Sequence, residues 1–423
     1  MKRLMMKETA NRVHYRRTRI LAVLFLSWCV GYSPGGKSGL LEAQVAPSSD
    51  PVPLMILLTK LDQDDVAGAE RLMGENLEVV KQRLEGVLGE LDQKFDHLGR
   101  YGATSGHEVH TEVLENFLEE VVRYAKLFDV YRGLSGDDVL YKRIEARRLR
   151  FEGALYTHAG EDACGDHLDW EEAQELYNLA LQRLQAGFVL AEEVDELRVM
   201  VSAKNNMGST YIRMVQPDRG LAAYQEALRL ANQLGGDMYP GMIRMNLGNT
   251  HVWVGEPDLS MAYLEPALAA FKRMGRGTWQ ANALLTIGNV QLRQAKFASA
   301  WETFGVALEL AKQSGEDRVR GRLLMNMGMA GLQLKKPEAM AFIQEGLEWY
   351  AGPNGKVYPD IEREVMQQDG LRLLSRVARE TGDEALAEKY MKEFFESVGP
   401  DPDRYGVVRA SPCFAIYKAM PKK

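Results

Sequence analysis

The chain has 423 residues, 46% of them hydrophobic and 26% charged, with a formal net charge of −7. That apolar content excludes a broadly disordered chain, and the length exceeds one ordinary core. The acidic balance excludes a general nucleic-acid binder, which needs a basic face toward phosphates.

Residues 1–43 differ from the rest. Lys2, Arg3, Lys7, Arg12, Arg16, Arg17 and Arg19 precede an apolar run over 20–30, and Gly, Ser and Pro residues lead on to Leu41, Glu42 and Ala43. A basic start, a short apolar run and a small exit residue form the pattern of an export signal. The run is shorter than the roughly 20 residues of an ordinary spanning helix. Cleavage is expected after Ala43 or Ala46, and translation can equally begin at Met5 or Met6. Arg16 and Arg17 ahead of Ile20 faintly resemble a twin-arginine signal. Trp28 disfavours lipidation of Cys29, because a small residue belongs there. The segment carries eight basic and two acidic residues, so losing it takes the chain from −7 to −13. The expected location is exported, in the periplasm or attached to a membrane. Cys164 and Cys413 would then remain, as free thiols or as a pair if the tail folds back.

Residues 31–38 also match G-x-x-x-x-G-K-[ST], with Gly31, Gly36, Lys37 and Ser38 at the defining positions. A phosphate-cradling loop needs a strand before it, a helix after it and a parallel sheet to hold both. Pro47 and Pro51 follow instead, and the rest of the chain is helical in pattern. The segment is therefore taken as the polar end of the signal, with nucleotide binding as the alternative.

Two amphipathic patterns follow, assigned together to 52–135. The first, about 62–98, has Leu77, Val80, Leu84, Val87, Leu88, Leu91, Phe95 and Leu98 on one face. The second, about 107–132, has Val113, Phe117, Leu118, Val121, Val122, Tyr124 and Phe128. They are expected to form a helical hairpin that caps what comes next. His107 and His110 stand one residue too close for H-E-x-x-H.

From 141 to 397 the chain repeats. Gly208, Gly248, Gly288 and Gly328 are spaced by 40 residues. Sixteen residues after the first three stand Tyr224, Leu264 and Phe304; the fourth unit is one residue short and has Ile343. Ala227, Ala267, Ala307 and Gly346 come three residues further on. Lys204, Met207, Gly208 and Tyr211 fall on one helical stripe. Gly220, Ser260, Ala300 and Ala339 give a second helix a small residue at the same place in each unit. Pro217, Pro257 and Pro337 mark the turn between the helices, and Gly235, Gly275 and Gly315 mark the end of the second. A glycine inside a helix costs roughly 1 kcal/mol, so its recurrence predicts a neighbouring helix that crosses too close for a side chain.

This order of small, aromatic and Ala-Leu positions resembles the tetratricopeptide repeat (TPR). Gly208, Tyr211, Gly220, Tyr224, Ala227 and Leu228 match its signature in sequence. The usual unit has 34 residues; a period of 40 is similar to the longer subclass of Pins-type polarity adaptors and kinesin light chains, as is the stretch from Asn246 to His251. The early tryptophan of helix A is missing throughout, and Gln291 and Gly331 replace its aromatic. Ala173 and Tyr177 extend the pattern upstream, with Gly153 in the leading helix and an enlarged turn over about 158–169. Gly382, Ala387 and Met391 extend it downstream. The resemblance implies an all-α, TPR-like α-solenoid of about six helix pairs. The tail, 398–423, opens on Gly399, Pro400 and Pro402 and has no regular pattern.

His158, Glu161, Asp162, Cys164, Asp166 and His167 gather in the enlarged turn, but their spacing matches neither a zinc ribbon nor a calcium loop. A solvated acidic insertion is expected there. No nucleophile elbow occurs, and no cofactor, metal or catalytic residue is predicted.

With Gly208 as position eight of helix A, the stripe left free by packing holds positions two, five, six, nine, twelve and thirteen. Positions six and nine carry Asn206 and Ser209, Asn246 and Asn249, Thr286 and Asn289, then Asn326 and Met329. An amide both donates and accepts, so such a ladder suits an extended peptide backbone. In the resembling adaptors, asparagines of this kind line the concave groove. Arg213, Trp253 and Arg293 at position thirteen and Arg322 at position two add carboxylate-binding and anchoring groups. Met242, Met245, Met325 and Met329 add adaptable apolar surface. The opposing possibility is that the asparagines cross-link neighbouring units.

The expected function is a non-enzymatic, exported scaffold or adaptor whose concave groove binds a protein segment, acidic or C-terminal in character. The alternative is a structural subunit of a membrane-associated complex, contacting its partners through the convex face or the hairpin.

Overall fold

The computed structural model describes the backbone of residues 54–398, apart from 102–106, 316, 354 and 356–359, and also leaves out the side chains of 96–101, 107–112, 165–167, 317–318 and 360–362. The signal pattern over 1–43, the 31–38 motif and the tail beyond Val398 lie outside the described residues. Sixteen helices and no strand occur among the described residues.

Four helices open the chain: α1 (Leu54–Asp62), α2 (Val66–Gly74), α3 (Leu77–Tyr101) and α4 (His107–Ser135). The first amphipathic pattern, expected as one run over about 62–98, is thus split into α2 and α3. Asp64 adopts a left-handed φ of 58°, and the Asp65 side chain accepts the Gly68 N–H at 2.9 Å, so a new helix begins there. Leu57, Met73, Leu84, Leu91, Leu118 and Phe128 form the core of this bundle.

The bundle docks on the repeats through α5 (Asp138–His167). Phe95, Phe117 and Phe151 cluster, with ring centroids 4.6 and 4.8 Å from Phe151. The Arg150 guanidinium lies 4.4 Å over Phe95 and 4.3 Å over Phe151. Asp92 of α3 accepts from Arg147 at 2.8 Å and from Arg150 at 3.3 Å, all three being buried. Burial pulls the Arg147 guanidinium down, but Asp92 and Glu196 outweigh it and hold it above its ordinary value.

Six helix pairs follow. They are α5 with α6 (Trp170–Glu193), α7 (Leu197–Arg213) with α8 (Pro217–Leu234), and α9 (Met238–Trp253) with α10 (Pro257–Arg273). Then come α11 (Gly277–Arg293) with α12 (Phe297–Ser314), α13 (Asp317–Gln333) with α14 (Ala339–Ala351), and α15 (Asp360–Glu380) with α16 (Glu384–Val398).

The repeated glycines are where each pair crosses. A β-carbon on Gly208 would sit 2.6 Å from the Tyr224 ring, one on Gly248 2.5 Å from Leu264, one on Gly288 2.2 Å from Phe304 and one on Gly328 2.3 Å from Ile343. The small residues of the trailing helices complete the approach. Ser260 Oγ donates to the Gly248 carbonyl at 2.9 Å, a backbone contact that a larger side chain would prevent. Pro217 and Pro257 stand in the first turn of their helices, where no N–H is missed.

The first pair departs from the sequence expectation. The stretch 158–169 is not an enlarged turn: α5 runs on as helix to His167, and Leu168 and Asp169 alone make the turn. Gly160 takes the crossing position, its absent β-carbon leaving room for Tyr177, while Gly153 makes way for Leu184. Nor is the stretch a solvated insertion, because Ala159, Asp162, Ala163 and Cys164 are buried. Small residues on one face let the helix continue against Tyr177. Cys164 is disulfide-bonded, which corrects the expectation of a free thiol; Cys29 and Cys413, the other cysteines, lie outside the described residues.

Each inner turn holds one residue at a left-handed φ, at the same place in the repeat: Val215 (59°), Gly255 (83°), Ala295 (56°) and Lys335 (53°). Only Gly255 adopts it without strain.

Two stability outcomes are expected. Gly288→Ala should lower stability by about 2 kcal/mol, because overpacking against the buried Phe304 ring outweighs the gain in helix propensity. Ala295→Gly should raise it by about 0.5–1 kcal/mol, since relief of the left-handed penalty exceeds the added chain entropy. Urea unfolding of each variant beside the parent chain measures both.

Candidate functional site

Curvature decides which side of the array can hold a ligand. Successive leading helices, α5, α7, α9, α11 and α13, pack directly on one another, whereas successive trailing helices make no comparable contact. The leading helices are therefore the inner, concave layer. The run breaks at the last step. Helix α15 makes no comparable contact with α13 and instead reaches α5, where Val365 is buried near Leu168. The array thus returns on itself, and a gap opens between α13 and α15.

That gap is a cavity of about 860 Å³. Four of the predicted contact residues line it: Asn289 and Arg293 from α11, and Arg322 and Asn326 from α13. Met325 and Met329 join them, together with Met366, Asp369, Arg372, Arg376 and Arg379 from α15. Five arginines thus face one carboxylate inside a chain of net −7. Arg376 and Arg379 make loose rim pairs with Glu380 at 3.5 Å and Glu384 at 3.7 Å. Arg293 is exposed and has no hydrogen bond or ion pair among the described residues. Partial desolvation holds its guanidinium below the ordinary value. The α15 arginines were absent from the sequence expectation. Their spacing at i, i+4 and i+7 was the signal for one cationic stripe.

The amide ladder exists, and it bonds unit to unit. Asn246 Nδ2 donates to Asn205 Oδ1 at 3.0 Å, Thr286 Oγ1 donates to Asn249 Oδ1 at 2.6 Å, and Asn326 Nδ2 donates to Asn289 Oδ1 at 2.7 Å. Position nine of one unit meets position six of the next, 37 residues on, because the leading helices touch along this stripe. The expectation of a wholly free stripe is corrected accordingly. Each amide still has capacity left, since it offers two donors and an acceptor with two lone pairs.

Three other predicted contacts turn away from a groove ligand. Ser209 Oγ lies 2.9 Å from the Tyr224 hydroxyl, inside its own unit. Burial pushes that hydroxyl up to about 12, against the lowering effect of Ser209. Arg213 Nε pairs with Glu161 Oε1 at 2.7 Å, which the extended α5 brings alongside. Trp253 is only 6% exposed, so it serves packing and presents no anchoring face.

Asn206 lines a second, smaller cavity of about 190 Å³. Its walls are Phe95 and Leu114 of the bundle, Met238, Tyr239 and Met242 of α9, and Trp279 of α11. The Asn206 Nδ2 is buried and has no hydrogen-bond partner. Sequence periodicity missed this slot because its two halves lie more than a hundred residues apart in the chain. No group of His, Cys, Asp and Glu among the described residues is placed to hold a metal ion. No helix among them is long and apolar enough to cross a membrane.

No protein-family model matches the chain, and no curated protein does. Solved structures do. A signal-transduction ATPase with numerous domains and a tetratricopeptide-repeat sensor, from Pyrococcus horikoshii, aligns at a TM-score of 0.52 and 14% identity, over 86% of this chain and 54% of its own. This chain therefore spans about half the length of that protein. The apo quorum sensor NprR from B. thuringiensis aligns at 0.46 and 13% identity, over 82% and 96%. A Rap protein complexed with competence and sporulation factor aligns at 0.42 and 12% identity, over 84% and 100%. The first likeness shows the fold: the chain is a TPR-like helical repeat protein, an α-solenoid of paired helices.

The ladder can be tested by a double-mutant cycle on Asn289→Ala and Asn326→Ala. Each single change should cost about 1 kcal/mol, and the pair should be non-additive by about 0.5–1 kcal/mol. Additive thermal-shift or urea data would place these side chains apart.

Proposed function

We propose that this chain is a non-catalytic, exported scaffold that binds an extended segment of another protein along the concave face of its leading helices. One observation carries this reading. Asn289, Arg293, Arg322 and Asn326 belong to different units, yet they line one open cavity with both polar and cationic groups. Residual amide capacity suits a peptide backbone, and arginine suits carboxylates. The 40-residue period and the asparagine ladder support a Pins-type subclass. Two separate features support export: the signal pattern over 1–43, and the disulfide at Cys164, a bond that persists in oxidising compartments.

A second reading, a structural subunit of a membrane-associated complex, has its own support. Met55 and Ile56 on α1, and Leu259 and Val306 on the outer trailing helices, are large apolar residues that stand exposed.

Photo-crosslinking in the source cells separates the two. A crosslinker at Met329, exposed at the groove, should yield a specific adduct, while one at Val306 on the outside should not. The reverse pattern would favour the subunit. In the same preparation, the mature protein should begin after Ala43 or Ala46 by mass spectrometry of its N-terminus; retention of residues 1–43 on a protein found in the cytoplasm would remove the export claim.

A further inference from the structure

The two concave cavities differ in chemistry, and the difference specifies a ligand. The small one is an aromatic and methionine slot. Phe95, Tyr239, Met242 and Trp279 wall it, and Ser202, Asn205 and Asn206 give it a polar edge. Its 190 Å³ exceeds the ~150 Å³ of an apolar cavity known to admit benzene. The large one is cationic, and it contains Arg293, which has no ion pair among the described residues. The slot centres between α7 and α9; the basin, lined from α11, α13 and α15, centres on α13, two and a half helix steps on. Leading helices pack about 8–10 Å apart, so the two centres lie roughly 20–25 Å from each other along the concave face. An extended chain covers that distance in about six to eight residues.

We propose, on the basis of the groove reading above, that the ligand is a bipartite protein segment: one aromatic side chain seated in the slot, about six to eight extended residues, then a cluster of carboxylates in the arginine basin. The aromatic ring supplies apolar burial between Met242 and Trp279. The carboxylates meet Arg293 and the α15 stripe through paired N–H donors. Aspartate and glutamate clusters elsewhere on this acidic chain repel such a segment and steer it toward the basin. Charge complementarity thus fixes where one end docks, and the slot fixes the register.

The test is selection from a display library of random peptides about 15 residues long against the full chain, followed by fluorescence anisotropy on synthetic hits. Recovered peptides should carry an aromatic residue and a separate acidic cluster at that spacing. Replacing the acids by Gln should weaken binding about tenfold or more, and so should Arg293→Glu in the protein. Arg293 has no partner to lose among the described residues, so the variant should unfold at the parent's temperature. Met242→Trp, which fills the slot, should abolish the preference for the aromatic while leaving the salt-dependent acidic contribution. Peptides that bind the groove yet show no acidic cluster would overturn the proposal and leave groove binding standing. Acidic peptides that bind Arg293→Glu as tightly as the parent would overturn it too. Recovery of no peptide that crosslinks at Met329 would remove both the proposal and the groove reading.

Discussion

Everything in the array follows from one close approach, repeated. In each unit a glycine of the leading helix lets the trailing helix press a large side chain against its backbone. Gly208 faces Tyr224, Gly248 faces Leu264, Gly288 faces Phe304 and Gly328 faces Ile343. The pressing residue changes from aromatic to aliphatic while the glycine does not, because the constraint is set by the distance between two backbones. That distance is short enough for Ser260 to bond the Gly248 carbonyl directly. Each glycine gives up roughly 1 kcal/mol of helix propensity, and the dispersion and burial recovered at the crossing offset it.

A fixed crossing inside each pair gives a fixed step between pairs. Successive leading helices then meet along one stripe and are joined by side-chain hydrogen bonds, donated by Asn246 to Asn205, by Thr286 to Asn249 and by Asn326 to Asn289. These bonds make the inner wall continuous. Among the described helices the wall opens where α15 swings away from α13 to touch α5, and there the arginines collect. The bonding capacity of this stripe is therefore partly spent in closing the wall, while the cations beside the gap include Arg293, which has no hydrogen bond or ion pair among the described residues.

Much of this was legible from spacing. The glycine period and the residue sixteen positions on marked the crossing, and the prolines and C-terminal glycines marked turns and ends. Asn289, Arg293, Arg322 and Asn326, all on the stripe read from spacing, line one cavity, since the same stripe of stacked leading helices becomes one surface. The errors share a cause. Ser209, Arg213 and Trp253 occupy the same registers but turn to Tyr224, to Glu161 and into the packed interior. Register states which way a Cα faces; it does not state what waits there. The first pair misled for a related reason. Its polar residues, from His158 to His167, resembled a loop in composition, yet its small residues Gly160, Ala163 and Cys164 line the face toward Tyr177.

The sequence by itself determined the helix pairs, their number and the glycine crossings, because those are local, periodic features that repeat within one chain. It also determined which side of each leading helix faces inward. Only the tertiary structure decided that α15 returns to α5, that a bundle residue and a repeat residue wall the same slot, and that Arg213 is paired with Glu161 while Arg293 has no partner among the described residues. Those outcomes depend on contacts between segments far apart in the chain, whose geometry accumulates from many small rotations and leaves no periodic trace in the order of residues.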